Sequence, residues 1–306
     1  MDEPTQPFVS VIIPVFNDAE RLKLCLTALE QQTYPRNRYE VIVVDNGSTE
    51  DIKSVVEPFP QAIFAVEPRT GSYAARNKAL TIANGEILAF TDADCIPTNS
   101  WIENGVTHLL NTPNCGLVAG RINLFFHDPL HPTAVELYDS VKIGFPQQKF
   151  LEESNYGATA NVFTFRSVMD AVGPFDDTLK SSGDREWGQR VFAAGYQQVY
   201  ADDACVSHPA RRTWNELHKK VVRIIGGHLD LQRKRDQSSA RFVTTTVLES
   251  IKDFLPPFRM YFHIWSYPNL KGQKQRIQFT IALLYVRYVR GWERLRLLAG
   301  GASMRG

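Results

Sequence analysis

Cysteine is scarce in this chain and follows no useful pattern. The 306 residues hold four, Cys25, Cys95, Cys115 and Cys205, far apart and without a C-x-x-C pair. That spacing excludes a disulfide-stapled scaffold and a cysteine zinc knuckle, and implies free thiols in a reducing compartment. Charge of one sign is also missing: 34 Lys and Arg against 33 Asp and Glu give a net charge of +1. The molecule as a whole is therefore no polyanion binder, and no nucleic-acid partner is expected. Long apolar runs are absent too. The longest candidate, residues 277–289, contains Arg287 and is too short to cross a bilayer. Met1-Asp2-Glu3-Pro4 lacks the positive start of a secretory signal, and the apolar run behind it is broken by Pro14. The expectation is a cytoplasmic protein, with peripheral attachment to the inner face of the cell membrane left open. After the first strand comes Pro14-Val15-Phe16-Asn17 rather than Gly-x-Gly-x-x-Gly, so the fingerprint of a dinucleotide-dependent oxidoreductase is missing.

What is present is ample apolar material, 43% of the residues, in alternating patterns. β-Branched runs at 9–13, 39–44, 62–66 and 86–90 predict strands, and helical spacing over 19–32, 52–56 and 72–83 predicts helices between them. Such alternation predicts an α/β fold with a mainly parallel sheet flanked by helices, whose ligands bind beyond the carboxyl ends of the strands. Polar residues stand at those ends: Asn17-Asp18, Asp45-Asn46 and Asp92 to Asp94. In the second half, 116–120, 162–165 and 197–201 read as strands, 167–172 and 186–194 as helices, and the chain is mostly helical from Trp214 onward.

Asp92-Ala93-Asp94 follows an apolar strand, where side-chain alternation predicts that both carboxylates lean the same way. Two neighbouring carboxylates suit a divalent cation that also carries phosphate oxygens, although the tripeptide alone is more often a polar turn. Asp45, before Gly47-Ser48, is either a helix-capping turn or an acceptor for a nucleobase or ribose. Gly71 to Asn77 opens a helix that brings Arg76 or Asn77 toward a ligand, or merely starts the helix. Asp184 and Glu186 stand in a first helical turn, where acidic residues are favoured in any case; a carboxylate there can also serve as a general base. His208 is either structural or a metal ligand. Arg211 and Arg212 suit diphosphate oxygens, or water.

Taken together and in order, these segments resemble glycosyltransferase family 2, the large group with the GT-A fold. The matching residues are Val11 to Asn17, Val43 to Thr49, Ala75-Arg76-Asn77, Phe90 to Asp94, Gly173-Pro174-Phe175-Asp176, Gly183 to Glu186, and His208. The resemblance covers roughly residues 8 to 225. It implies an inverting enzyme that moves one sugar from a nucleotide-diphosphate donor, a UDP-sugar by preference, to a glycan or lipid-linked acceptor, with Mn²⁺ or Mg²⁺ as cofactor. Pro14, Val15, Asn17, Asp45, Asn77, Asp92 and Arg211 would line the donor pocket, Asp94 and His208 would hold the metal, and Asp184 would be the catalytic base. Gly157, Asn161, Glu186 and Trp187 would border the acceptor. Two positions depart from the common pattern: Asn46 and Gly183 stand where many members carry Asp and Glu. The Gln-x-x-Arg-Trp motif of processive synthases is absent, which favours a single sugar per visit. A catalytically silent nucleotide-sugar-binding protein is the alternative, but it would have lost the metal pair or the base.

The expected organisation is a catalytic domain over 1–225, with a donor half at about 8–120 and an acceptor half at about 121–225, then a helical extension over 226–306. In that extension Ile281, Leu284, Tyr285, Tyr288, Trp292 and Leu295 recur at helical spacing beside a stripe of Arg287, Arg290 and Arg294. An apolar, aromatic face next to a basic one suits an anionic membrane surface as well as it suits packing on the catalytic domain.

Overall fold

β-Branched strands form the centre of the fold, and three of them are buried on both faces. The computed structural model describes residues 6–235, 239–255, 264–265 and 267–304. Met1 to Pro4, and 236–238 and 256–263 of the expected helical run, lie outside the described residues. The strands β1 (Val9–Val15), β2 (Tyr39–Asp45), β3 (Ala62–Val66) and β4 (Ile87–Thr91) pair in parallel in the order β3-β2-β1-β4. The helices α1 (Ala19–Glu30), α2 (Ile52–Val56) and α3 (Ser72–Leu80) connect them. The two-residue period of a strand divides the core. Val11, Ile13, Val41, Val43 and Ala89 pack with Leu22, Leu26 and Leu29 of α1 on one face. Ile12, Ile42, Val44, Leu88 and Phe90 pack with Ala75 and Ala79 of α3 on the other. Both faces of β1, β2 and β4 are covered, which is why these strands read as unbroken apolar runs.

β5 (Ile96–Pro97) and α4 (Trp101–Asn111) follow, then β6 (Cys115–Phe125), α5 (Ala134–Tyr138), a π-helical turn over Asp139–Ile143, and α6 (Gln147–Ser154). β7 (Asn161–Phe165) runs antiparallel to both β4 and β6. α7 (Arg166–Val172), α8 (Gly183–Ala193) and β8 (Gln197–Pro209) complete an eight-stranded sheet of order β3-β2-β1-β4-β7-β6-β8-β5. The pattern at 197–201 marks only the start of β8, which continues through His208. β5 and α4 are additions to the sequence reading; the signal for α4 is the helical spacing of Trp101, Ile102, Val106 and Leu109, all buried.

The chain divides into two compact units. The first comprises residues 1–123, 145–178 and 183–208, and holds the sheet. The second comprises 124–144, 179–182 and 209–306, and is helical, with α9 (Trp214–Arg235), α10 (Ser239–Phe254) and α11 (Gly272–Leu298). Its separate segments are joined because Leu217, Val221 and Val222 share a core with Val135, Leu137, Phe279 and Leu283. Within this unit the arginine stripe of α11 turns inward. Arg287 and Arg290 lie 3.8 and 3.3 Å from Asp253 of α10, and Arg294 pairs with Asp253 and, at 3.2 Å, with Glu249. The expected apolar stripe turns outward instead: Ile281, Leu284, Tyr288 and Trp292 are 42–57% exposed. Among the described residues, no helix is long and apolar enough to cross a membrane.

Candidate active site

The carboxyl ends of β1, β2 and β4 lie side by side, and the polar residues that terminate them define the site. After β1, Asn17 adopts a left-handed backbone (φ 49°), tolerable for asparagine. Its side-chain oxygen accepts from the Thr49 N–H at 2.7 Å, and its own N–H donates to Ser48 Oγ at 2.8 Å. Asp45, which stands opposite Val15 in the sheet register, caps the same turn by accepting from the Ser48 N–H at 3.0 Å. Pro14 and Val15 belong to β1 itself, with Val15 buried.

Asn46, one of the two departures, has a structural reason. Its amide donates to the carbonyls of Glu67 and Arg69, both at 2.8 Å, and accepts from the Gly71 N–H at 2.6 Å. A carboxylate could accept from Gly71 but could not donate to two carbonyls. Asn46 thereby fixes the loop that leads into α3.

β4 stops at Thr91, so Asp92-Ala93-Asp94 lies in a turn closed by the Cys95 N–H on the Asp92 carbonyl at 3.1 Å. Contrary to the expectation from the sequence, strand alternation does not align the two carboxylates, because the strand ends before them. They take different partners. Asp92 Oδ1 accepts from Arg76 at 2.5 Å, and Arg76 is buried (3% exposed). Asp94 Oδ2 stands 3.3 Å from His208 Nε2 and 3.9 Å from Arg21. His208 is buried on β8 with its ring 4.9 Å from that of Phe145. The motif casts a negative field beneath it: burial pushes the thiols of Cys25 and Cys95 up, and Asp94 and Asp92 push them further.

Asp94 and His208 thus offer a hard oxygen and an imidazole nitrogen on one side, a donor set that suits Mn²⁺ or Mg²⁺. Among the described residues, no group of three His, Cys, Asp or Glu side chains is placed to hold a metal ion. A cation held here would therefore take its remaining ligands from phosphate oxygens or water, as Mg²⁺ commonly does.

Asp184 sits in the first turn of α8. Burial raises its pKa above the ordinary carboxylate value, against the lowering effect of the Arg185 N–H at 2.8 Å, the Arg76 charge and the Tyr73 hydroxyl; Asp92 raises it further. Arg76 thus acts on Asp92 directly and on Asp184 through its field. Tyr73 is missing from the sequence-derived site, and of the two candidates Arg76 and Asn77 it is Arg76 that reaches the Asp92 carboxylate. The i, i+3 spacing of Tyr73 and Arg76 on α3 was the available signal, since it puts both on one helix face.

The other predicted residues are engaged within the fold. Asn77 holds the Phe175 backbone on both sides, accepting its N–H at 3.1 Å and donating to its carbonyl at 2.8 Å. Glu186 pairs with Arg190 at 2.8 Å, and Arg190 in turn reaches the carbonyls of Val172, Gly173 and Pro174. Trp187 is buried, with its indole N–H on the Gly173 carbonyl at 3.2 Å. Asn161 is fully buried; it accepts from Trp101 at 2.9 Å and donates to the carbonyls of Arg121 and Ala204. Gly157 lies against the sheet, where a Cβ would meet Ala119 at 2.9 Å. Arg211 belongs to the helical unit, where its guanidinium and backbone N–H both bind the buried Asp139, at 3.2 and 2.9 Å.

Residues 10–173 match the family described as glycosyl transferase family 2. The chain is 40% identical over 257 residues to the glycosyltransferase AglE of Haloferax volcanii, an alignment covering 82% of this chain and 83% of AglE. It is 31% identical over 223 residues to the pre-mycofactocin glycosyltransferase of Mycobacterium tuberculosis, covering 69% of this chain and 45% of that protein. Among solved structures, it superimposes on the mannosyltransferase PcManGT from Pyrobaculum calidifontis, in complex with GDP-Man and Mn²⁺, with a TM-score of 0.58 at 19% identity. That match covers 99% of this chain and 80% of the other. The chain belongs to glycosyltransferase family 2, with the GT-A fold, and is a sugar-transferring enzyme.

Proposed function

We propose that this enzyme transfers one sugar, with inversion, from a nucleotide-diphosphate donor to an acceptor hydroxyl, with Asp184 as the general base. The observation that carries the proposal is Arg76. One buried guanidinium binds Asp92 of the donor motif at 2.5 Å and acts on Asp184, so Asp92 and the base share one electrostatic site. Asn17 and Asp45 lie where the nucleoside would meet the ends of β1 and β2. Asp94 and His208 would hold Mn²⁺ or Mg²⁺. Bound there, the metal supplies Lewis-acid neutralisation of the charge that grows on the departing diphosphate.

Asp184 takes the proton of the acceptor hydroxyl as that oxygen attacks the anomeric carbon. A partly buried carboxylate with a raised pKa is a better proton acceptor than a fully exposed one, and an inverting displacement needs a single base and no protein nucleophile. The exposed apolar and aromatic face of α10 and α11 favours an acceptor presented at a lipid surface over a freely soluble glycan.

The donor reading is tested by thermal shift of the full chain with GDP-mannose, UDP-glucose and UDP-N-acetylglucosamine, each with and without Mn²⁺. The expected result is a metal-dependent rise in Tm for at least one donor, lost in Asp94→Asn, because a ligand that binds only the folded state raises its stability. A panel with no metal-dependent shift overturns the reading.

A further inference from the structure

We propose that Tyr73 is a positioning residue for Asp184: its phenol, seated against the start of α8 in the space that Gly183 leaves, fixes the carboxylate that removes the acceptor's proton. The proposal rests on Asp184 being the base.

Tyr73 is buried (8% exposed), and a buried phenol needs hydrogen-bond partners for its polar tip. It finds one at the start of α8, where the hydroxyl donates to Asp184 Oδ1 at 3.4 Å. At 3.4 Å the contact is longer than a formed phenol–carboxylate bond, and catalytic hydrogen bonds commonly tighten when substrate binds.

Gly183 supplies independent evidence from packing. A Cβ at this position would lie 2.7, 2.8 and 2.9 Å from ring atoms of Tyr73. Gly183 is not among the glycines with positive φ. What excludes a side chain here is therefore the Tyr73 ring rather than the backbone. The ring is held from other sides as well, stacked on Phe175 at 5.8 Å between centroids, with the Arg76 guanidinium 5.8 Å from its centroid. Tyr73 and Arg76 stand one turn apart on α3 and reach Asp184 and Asp92 respectively. One rigid helix thereby sets the spacing between the donor motif and the base.

The groups that bear on Asp184 are Tyr73 and Arg76 from α3, Asp92 after β4, the Arg185 N–H of its own helix, and Tyr156, whose own phenol is pushed up by burial and by Asp184. Tyr73, Arg76 and the N–H favour the ionised carboxyl, while burial and Asp92 oppose it. Removing the Tyr73 hydroxyl therefore raises the Asp184 pKa.

The test is a carboxyl ¹³C NMR titration of aspartate-labelled full-length protein, with the Asp184 resonance identified by its loss in Asp184→Asn. Tyr73→Phe should move the Asp184 titration upward by about one pH unit, the size expected for one hydrogen bond to a charged group. Gly183→Ala should move it in the same direction, and should have no further effect once Tyr73→Ala has removed the ring. An Asp184 titration unchanged in Tyr73→Phe overturns the proposal. The base reading fails separately: Asp184→Asn would then still release nucleoside diphosphate from GDP-mannose or UDP-glucose at the wild-type rate.

Discussion

The guanidinium of Arg76 meets Asp92 at 2.5 Å, and only one end of that pair is buried: Arg76 is 3% exposed at its side chain, Asp92 33%. Asp94, two residues on, faces His208 instead. The Asp-x-Asp motif is thus divided, with one carboxylate held by the protein's own cation and the other paired with an imidazole beside which a metal ion would fit.

Arg76→Met should therefore cost stability as well as activity. Breaking a buried ion pair by removing one partner typically costs about 3–5 kcal/mol, and the partial exposure of Asp92 puts this case at or below about 3 kcal/mol. Urea unfolding at neutral pH, with an unchanged m-value, measures it. A loss below about 1 kcal/mol would mean that Arg76 does not depend on Asp92 for its burial.

Asp184→Asn should lose most transfer while becoming more stable near neutral pH. The folded protein raises the pKa of Asp184, chiefly by burial, so the folded state holds this proton more tightly than the unfolded chain. The stability contributed by the protonated form is full below the ordinary carboxylate value and is lost as pH rises through the raised one. A neutral amide escapes that loss. The Tm gain of Asp184→Asn over wild type should therefore be small at about pH 4 and larger at pH 7. A gain that shrinks as pH rises would contradict the assigned shift.

Much of this arrangement was legible in the sequence because it is local. The apolar runs of β1, β2 and β4, and the polar residues that end them, sit within a few positions of each other, and their order identified the fold. What was not legible depends on contacts distant in sequence. Asn161 looks like an acceptor-side polar residue, yet its amide joins Trp101, Arg121 and Ala204 from three separate segments. Asp92-Ala93-Asp94 reads as a strand continuation because nothing local marks the turn after Thr91. Arg287 and Arg294 read as a basic helix face because Asp253, their partner, lies on another helix.

Asn46→Asp tests whether the departure at that position is structural. The substitution keeps the acceptor for Gly71 but turns a carboxylate oxygen toward the carbonyls of Glu67 and Arg69, in a site only 8% exposed. Losing two donors to buried carbonyls should cost about 2–4 kcal/mol in urea unfolding. Donor affinity should weaken as well, because the loop leads into α3, which carries Tyr73 and Arg76. A variant within about 0.5 kcal/mol of wild type would remove the structural explanation for asparagine.

The exposed face of the helical unit makes a distinct prediction about membranes. Phe254 of α10 and Tyr288 and Trp292 of α11 form a cluster with ring centroids 6.1–6.2 Å apart, and all three are 42–57% exposed. A Cβ at Gly291 would meet the Phe254 ring at 2.8 Å, so glycine lets this ring lie against α11. Leu248, Ile251, Ile281 and Leu284 extend the exposed apolar surface along the two helices. Aromatic side chains with a polar tip favour the membrane–water boundary. Arg287, Arg290 and Arg294 are turned toward Asp253 and Glu249, so binding should be driven by this apolar face rather than by anionic lipid. The full chain should float with phosphatidylcholine vesicles and stay bound when salt is raised to about 0.5 M, where electrostatic attraction is screened within about 3–5 Å. Tyr288→Ser with Trp292→Ser should lower the bound fraction by on the order of tenfold or more, given about 1.5–3 kcal/mol for each large side chain fully removed from water and both being only half exposed. Binding that needs phosphatidylserine and vanishes in salt would assign attachment to a basic surface elsewhere, and a chain that stays soluble with either vesicle would leave this face without a lipid role.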